Sequence, residues 1–442
     1  MNQGIRRNRA GVVLSALVLA IVLAATLIPA SASTPTADFW CVACGEFGGL
    51  DVSNNIVMFV PLGFAFALAT GRRWRSVIAC VAVTTFVESM QIRVVQGRDA
   101  SLSDLLANSL GGMIGVELAL RRALLLRPRG RAATALAVAG AGAFGFVMTL
   151  GSLGFRTAAI PQSVWVQWTP DRAGFEPFTG ELLDFNLDGI DLPRGFYPPK
   201  SLGVDRVLRG STWHAAVTVG TNGLRPRRAV IARIAEEFTV LLSIEQYGWD
   251  LACQQKTRSG DMRFRSPKIA VRDAVSTAAG SAPARVRFTC SRQGDLLVAS
   301  AGDRQEVLRL SPSLGWVFVS PITITVPSYY VLVSAIWLAA LAFPAGYWIR
   351  CVAESDVAAA QSGHPRRARY VAIGAFAVAL CIGLLVVPWL AGAAPGSWWE
   401  WTSAVVGAVV GSVSARLRAW WEARLPIHRR SATATPVSDT GG

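Results

Sequence analysis

The run G-V-V-L-S-A-L-V-L-A-I-V-L-A-A-T-L-I-P-A, residues 11–30, contains no charged side chain and decides how the rest of the chain is interpreted. A helix of about 20 apolar residues is long enough to cross the hydrocarbon core of a bilayer. Of the 442 residues, 52% are hydrophobic and only 16% are charged. Because a soluble domain carries about a quarter charged residues, this composition excludes a soluble cytosolic enzyme, a fibrous protein and a disordered protein.

Including this run, the sequence predicts about eight membrane-spanning helices. Three of them carry Asn, Asp, Glu or Gln side chains, so hydropathy alone would rate them poorly. The predicted spans are 11–30, 55–70, 76–92, 102–120, 133–152, 328–350, 370–391 and 398–415. The sequence thus predicts a polytopic α-helical membrane protein, with a five-helix domain in 1–153, three further helices in 328–417 and a basic tail in 418–442.

The net charge of +15 would suggest nucleic acid as a partner if the chain were soluble. In the flanking regions, however, the arginines lie beside hydrophobic spans, and cytoplasmic loops carry such an excess of basic residues. We therefore expect membrane lipids and no nucleic acid. The distribution of these arginines predicts a multi-pass protein of the cell membrane, with both termini cytoplasmic and residues 155–325 extracytoplasmic. In this topology, only Arg93 and Arg98 of the flanking arginines lie outside the cell.

The start of the chain permits two interpretations. Ala30-Ser31-Ala32 resembles a signal-peptidase site after an Arg-rich leader and an apolar run. The run is longer than the usual cleaved core, which favours a retained first helix. The remaining topology is the same in either case.

Ionisable and amide side chains interrupt the second, third and fourth predicted spans. Glu88 and Gln91 are three residues apart, and Asp104 and Asn108 are four apart, so each pair lies on one face of its helix. Such residues inside a membrane are costly and usually face the interior of the bundle, where they have a function. The alternative is that they only hold helices together through interhelical hydrogen bonds.

The predicted depth of these residues favours one cluster near the outer leaflet. Asn55 lies near the outer end of the second span, and Arg98 lies in the loop between the third and fourth. Amides suffice to associate helices, whereas two carboxylates and an arginine are costly for that purpose. The candidate ligand-binding residues are Asn55, Glu88, Gln91, Arg98, Asp104 and Asn108.

The order of these residues resembles a known family. The pattern is N-x-x-x-F-x-P-x-G from Asn55 to Gly63, E-x-x-Q from Glu88, then Arg98 and D-x-x-x-N-x-x-G from Asp104. It resembles the VanZ-like family over about residues 40–120, a small membrane domain named for a teicoplanin-resistance accessory protein. The resemblance implies a role linked to antibiotics in the cell envelope, but it supplies no catalytic residues, and we assign none.

Residues 155–325 have a different pattern. Apolar residues alternate in short runs, such as Val240, Leu242 and Ile244, and turn sequences such as Ser259-Gly260-Asp261 separate the runs. This pattern predicts an all-β sandwich of antiparallel strands inserted between the membrane helices. The order of the segments resembles concanavalin A-like and laminin-G-like jelly rolls, which makes a carbohydrate or adhesion role an alternative function.

Four of the seven cysteines are predicted to lie outside the cell, where disulfides persist. Cys253 and Cys290 fall on predicted strands of one domain and are candidates for pairing. Cys41 and Cys44 are spaced for a redox or half-zinc motif, but a structural zinc site needs a second pair of ligands. We therefore expect a local disulfide or a reduced pair there.

The segment Asp184-Phe-Asn186-Leu-Asp188-Gly189 copies the start of a calcium loop. Position twelve of such a loop is a bidentate Glu, whereas here it is Gly195. A turn between strands is the favoured interpretation. The sequence predicts no metal site and no cofactor, and it leaves calcium at this turn and the oligomeric state open.

Three functions fit these observations. In the first, a non-enzymatic membrane protein binds or shields an extracytoplasmic ligand, a cell-wall precursor or a glycopeptide antibiotic such as teicoplanin, through the polar cluster. In the second, a membrane enzyme acts on a lipid-linked substrate with Glu88 and Asp104 as acid and base. In the third, the sandwich gives the protein an adhesion or carbohydrate-binding role.

Overall fold

The computed structural model describes residues 2–28, 39–40, 46–95, 101–161, 163–172, 174–198, 204–221, 224–236, 239–275, 284–320, 327–360 and 367–424. Helices precede and follow a central β domain. The helices are α1 (Asn2–Leu27), α2 (Gly48–Thr70), α3 (Arg73–Arg93), α4 (Leu102–Leu120), α5 (Arg122–Leu126), α6 (Gly130–Gly154), α7 (Val204–Arg209), α8 (Arg258–Asp261), α9 (Pro327–Ala360), α10 (Arg367–Cys381), α11 (Val387–Ala391) and α12 (Trp398–Arg424).

Six helical segments of the described chain are long and apolar enough to cross a membrane. They are Arg9–Leu27, Gly48–Thr70, Arg73–Arg93, Gly130–Gly154, Pro327–Val357 and Arg367–Ala391. Two of the eight predicted spans, in α4 and α12, do not reach that hydropathy because they carry residues such as Asp104, Glu117 and Glu400. Both nevertheless pack along spanning helices, α4 on α2 and α12 on α9.

The first four helices pack against one another through small residues. A Cβ atom added to Gly111 would lie 2.2 Å from the carbonyl oxygen of Ile56, and one added to Gly115 would lie 2.0 Å from that of Val60. Only glycine lets the α2 and α4 backbones approach so closely. Gly111 and Gly115, which have G-x-x-x-G spacing, therefore serve helix packing.

The helices form two groups. In the first, α2 packs against α1, α3 and α4. In the second, α6 packs against α9 and α10, and α9 against α12. Helix α6 is the fifth span predicted for 1–153. It packs against α9 and α10, which lie in the predicted three-helix region 328–417.

The central domain is the predicted β-sandwich. Its strands are β1 (Val164–Trp168), β2 (Glu181–Leu187), β3 (Ile190–Asp191), β4 (Gly195–Tyr197), β5 (Thr212–Thr221), β6 (Ala229–Glu236), β7 (Thr239–Tyr247), β8 (Asp250–Gln255), β9 (Lys268–Val271), β10 (Ala284–Gln293), β11 (Leu296–Ala301) and β12 (Arg304–Arg309). One six-stranded sheet has the order β4-β1-β6-β7-β8-β9, and the other has the order β12-β11-β10-β5-β2-β3. Neighbouring strands are antiparallel throughout.

The inward faces of the two sheets share a core that includes Trp213, Phe185 and Phe288. A disulfide joins Cys253 of β8 to Cys290 of β10, with 6.3 Å between their Cα atoms, and so links the two sheets. The other candidate cysteines, Cys41 and Cys44, lie outside the described residues.

The sandwich core continues into the ends of the membrane helices. Phe155, directly after α6, packs against Phe318, with ring centroids 4.7 Å apart. In α9, the Tyr330 hydroxyl donates a 2.6 Å hydrogen bond to the Lys268 carbonyl. The sandwich is therefore fixed to both helices between which it is inserted. We call the end of the helices that carries it the sandwich end.

The calcium-like segment forms the hairpin between β2 and β3. Asp188 and Gly189 have φ angles of 49° and 83°, and the Gly189 amide donates to Asn186 Oδ1 at 2.8 Å. Asp188 Oδ1 accepts from the His214 amide at 2.7 Å. These side-chain oxygens stabilise the backbone of a turn.

We predict that Gly115→Ala destabilises the protein by about 1–3 kcal/mol, because the added methyl group overlaps the α2 backbone. Gly142→Ala is the matched control, since a Cβ at this α6 glycine meets no atom within 4 Å. Thermal unfolding of both variants in detergent checks this. Equal melting temperatures would contradict the close α2–α4 contact.

Candidate functional site

The predicted polar residues meet where α2, α3 and α4 reach the sandwich end. Asn55 Nδ2 donates a 2.6 Å hydrogen bond from α2 to Asp104 Oδ1 of α4. Glu88 of α3 accepts from the Ser101 backbone amide at 3.2 Å, and Ser101 caps α4 by accepting from the Asp104 amide at 3.1 Å. Ser101 therefore links α3, which carries Glu88, to α4, which carries Asp104.

Two amides extend the cluster to further helix contacts. Asn108 Nδ2 donates to Thr84 Oγ1 at 3.0 Å, and Gln91 Nε2 donates to the Thr26 carbonyl of α1 at 3.0 Å. Asn108 and Gln91 are buried. The Asn108 Oδ1 atom is also buried, and no hydrogen-bond partner for it lies among the described residues.

The structure therefore brings together Asn55, Glu88, Gln91, Asp104 and Asn108 at one end of the first helical group, whereas Arg98 lies outside the described residues. Glu88 is 6% exposed, and Asn55 and Asp104 are half-buried. The Glu88 carboxylate and the Asp104 backbone both bond to Ser101, so the two carboxyl-bearing residues are neighbours in the cluster. Carboxylate and amide oxygens accept hydrogen bonds, so these side chains suit a ligand that carries N–H donors or a positive charge.

Sequence reasoning did not find the contact between α2 and the sandwich. Glu46 forms a 2.5 Å salt bridge with Arg172, and the Leu50 amide donates to the Arg263 carbonyl at 3.3 Å. A Cβ added to Gly49 would lie 2.3 Å from the Met262 carbonyl oxygen. The only signal in the sequence is the Gly48-Gly49 pair that begins the helix, which permits a close approach.

A buried ionic cluster lies on the sheet strands beside this contact. Lys268 Nζ donates to Glu245 Oε2 at 2.8 Å, and Arg228 Nε donates to the same oxygen at 3.0 Å. The Tyr247 hydroxyl lies 2.6 Å from both Glu245 Oε2 and Lys268 Nζ. Glu245 and Lys268 are buried. The alternation of the strand would have placed these side chains on an exposed face, so the sequence does not predict their burial.

The charges in this cluster depend on one another. Burial alone would raise the pKa of Glu245, but Lys268 and Arg228 outweigh it and hold that pKa well below its usual range. Burial lowers the pKa of Lys268 to about 8 although Glu245 opposes the change. Burial, followed by the negative charge of Glu245, raises the pKa of Tyr247. At neutral pH, Glu245 and Lys268 therefore form a buried ion pair.

The fold and the cluster define a multi-pass membrane protein with an inserted β-sandwich. Residues 11–126 match the family model described as VanZ/LLP1, so this part of the chain is a VanZ-like region and the predicted resemblance is confirmed. The matched region ends before α6. The first group of packed helices also ends before α6. No curated protein and no solved structure matches the chain, and the jelly-roll resemblance therefore stays a prediction.

We predict that the sandwich loses stability as the pH falls through and below about 4.5, the ordinary pKa of Glu245. The unfolded chain then binds a proton that the folded chain, with its lower pKa, still excludes. Glu245→Gln should reduce this acid dependence and cost about 3–5 kcal/mol at pH 7, because the buried Lys268 loses the carboxylate that offsets its burial. Unfolding followed from pH 3 to 7 measures both effects.

Glu181→Gln is the control for this prediction, since Glu181 is exposed on β2. It should leave both the stability at pH 7 and its acid dependence near those of the unsubstituted protein. An unchanged acid dependence in Glu245→Gln would contradict the role given to the buried pair.

We also predict that Gly49→Val separates α2 from the sandwich, because its side chain would overlap the Met262 carbonyl. Limited proteolysis in detergent should then cut near residues 258–264 at least tenfold faster. Gly248→Ala is the control for a general effect of substituting a sandwich glycine. A Cβ at Gly248 meets no atom within 4 Å, but the φ of +59° makes the substitution strained. Equal protection of Gly49→Val and the unsubstituted chain would contradict the contact.

Proposed function

We propose that this protein is a non-enzymatic membrane protein of the cell envelope that binds or shields an extracytoplasmic ligand through its VanZ-like polar cluster. The ligand is a cell-wall precursor or a glycopeptide antibiotic such as teicoplanin. In this proposal the sandwich end faces outward and both termini are cytoplasmic. Membrane lipids surround the helices, and no nucleic acid is involved.

The distribution of arginines supports this orientation. At the end of the helices opposite the sandwich, positive charges are concentrated where α2 meets α3, α4 meets α6 and α9 meets α10, and at the end of α12. A cytoplasmic location agrees with such an excess. The residues are Arg72, Arg73, Arg75, Arg121, Arg122, Arg127, Arg129, Arg131, Arg350, Arg367, Arg369, Arg416, Arg418 and Arg424.

The observation that carries the proposal is the set of polar side chains, Glu88, Asp104 and Asn108, that α3 and α4 bring to one end of the first helical group. Helix association alone accounts for the Asn108–Thr84 and Gln91–Thr26 hydrogen bonds. It does not account for two carboxyl-bearing residues joined through Ser101, or for a buried amide oxygen that meets no donor among the described residues. A buried acceptor without a partner costs about 1–3 kcal/mol, and an amide or ammonium group of a ligand would satisfy it.

The contact with α2 gives the sandwich a part in this function. Asn55 lies seven residues along α2 from Gly48, the first residue of the helix, which is about 10 Å. The Glu46–Arg172 salt bridge and the Leu50–Arg263 hydrogen bond fix the sandwich at that end of the helix. A ligand at the cluster would therefore lie next to the sandwich.

Teicoplanin and vancomycin susceptibility tests this proposal in cells that carry the unsubstituted protein, Glu88→Gln, Asp104→Asn or an empty vector. We expect protection by the unsubstituted protein and at least a fourfold loss of protection in each variant at equal protein level by blot. Glu117→Gln is the matched control: it removes an α4 carboxylate at the opposite end, where Glu117 pairs with Arg73. Equal susceptibility in all cells would refute the proposal, as would equal loss in the control.

One observation favours a second function. The proximity of Glu88 and Asp104 also suits an acid–base pair that acts on a lipid-linked substrate. Turnover separates the two functions: incubation of purified protein with lipid-linked cell-wall precursors should change them, and each carboxylate variant should abolish the change. Saturable binding without turnover supports the non-enzymatic function instead.

A further inference from the structure

The sandwich has an open groove of about 650 Å³ that the polar cluster does not use. It lies at the β4–β1 edge of the first sheet and is lined by residues of β1 and β6, by the turn after β1, and by Arg194 and Gly195 at the start of β4. This volume lies within the range of small-molecule sites. The groove is also close to α2, since Arg172 of the turn after β1 binds Glu46.

One wall of the groove is formed by the aromatic side chain of Trp165. Val164 and Val166 of β1 face the sandwich core, so the alternation of the strand turns Trp165 and Gln167 outward. Trp165 is 47% exposed and packs against Phe196 of β4, itself 49% exposed, with ring centroids 4.9 Å apart. Two large neighbouring aromatic rings exposed on a strand edge mark a binding surface.

Besides the apolar residues Val166, Trp168 and Pro170, the lining has polar side chains, and positive charge exceeds negative charge among them. Arg233 of β6 donates a hydrogen bond to Gln167 of β1, which holds both planar side chains in place. Arg194 and Asp171 complete this part of the lining. The groove therefore has two guanidinium groups against one carboxylate.

The backbone at the groove is strained. Thr169, directly after β1, has a φ of 42°, which is unfavourable for a β-branched residue. Its amide is held by a 2.8 Å hydrogen bond to the Ile231 carbonyl. Strain of this kind persists where the surrounding structure holds it and is concentrated at binding sites. Here it positions the Pro170-Asp171 turn against the groove.

We propose that this groove binds a pyranose sugar that carries a negative charge, as a carboxylate or a phosphate. The apolar face of the sugar ring packs on Trp165, and the hydroxyl groups bond to Gln167 and Asp171. The anionic group pairs with Arg194 and Arg233, whose planar donors suit either oxyanion. This site is independent of the VanZ-like cluster and of the function proposed for it.

Binding of four sugars to the full-length protein in detergent tests this proposal by titration calorimetry. The probes are trigalacturonate, its methyl ester, maltotriose with a terminal phosphate, and maltotriose itself. We expect saturable binding of at least one anionic sugar, and at least fivefold weaker binding of its neutral counterpart, the methyl ester or maltotriose. The carboxylate and phosphate probes distinguish the two sources of the negative charge.

Two variants locate the site. Trp165→Ala should weaken binding at least tenfold, and Arg194→Gln should reduce the preference for the charged sugar to less than twofold. Val307→Ala and Arg287→Gln are the matched controls, since both residues are exposed on the second sheet. Circular dichroism and the melting temperature establish that each variant is folded.

Three results would overturn the proposal. They are no saturable binding of either anionic sugar at 10 mM, equal affinity for charged and neutral sugars, or unchanged binding by a folded Trp165→Ala variant. Loss of antibiotic protection in Glu88→Gln has no bearing on this site, so the two proposals fail separately.

Discussion

The approach of α2 to α4 is the constraint on which the polar cluster depends. The α2 backbone lies against Gly111 and Gly115, where any side chain would overlap a carbonyl oxygen. This spacing allows Asn55 on α2 to donate to Asp104 on α4 at 2.6 Å. A wider separation would leave the Asp104 carboxyl without this partner. The glycines of α4 therefore support the cluster, although none of them belongs to it.

Helix α2 also connects the cluster to the sandwich. Gly49, at the start of the helix, meets the Met262 carbonyl, and the Glu46–Arg172 salt bridge lies next to it. The second helical group fixes the sandwich from the other side through Phe155 and Tyr330. Because the sandwich is attached at three helix ends, its position relative to the cluster is set by packing rather than by the length of a linker.

Much of this architecture could be predicted because it depends on local patterns. Apolar runs predict the spanning helices, and alternation predicts the strands, as in Val240, Leu242 and Ile244 of β7. The polar cluster was predictable because residues such as Glu88 and Asp104 are costly in an apolar helix unless they meet a partner. The VanZ-like family match over residues 11–126 agrees with that analysis.

Features that depend on tertiary packing could not be predicted in this way. Glu245 and Lys268 alternate as exposed strand residues would, and they become buried because other parts of the chain cover that half of the sheet. The groove requires β4 to pair with β1, although 26 residues lie between Trp168 at the end of β1 and Gly195 at the start of β4, and the order of the strands is non-local. The packing of α6 with α9 likewise joins helices on either side of the sandwich, which periodicity along the chain does not reveal.

The central claim is that the cluster and the sandwich face the outside of the cell together. Labelling of introduced cysteines in intact cells with a membrane-impermeant maleimide tests it most directly. Arg287→Cys is exposed on the sandwich, and Arg127→Cys lies at the opposite end of the helices. The account predicts labelling of Arg287→Cys above the unsubstituted chain in intact cells, and labelling of Arg127→Cys only after permeabilisation. The reverse pattern would place the cluster in the cytoplasmic half of the membrane and contradict the account.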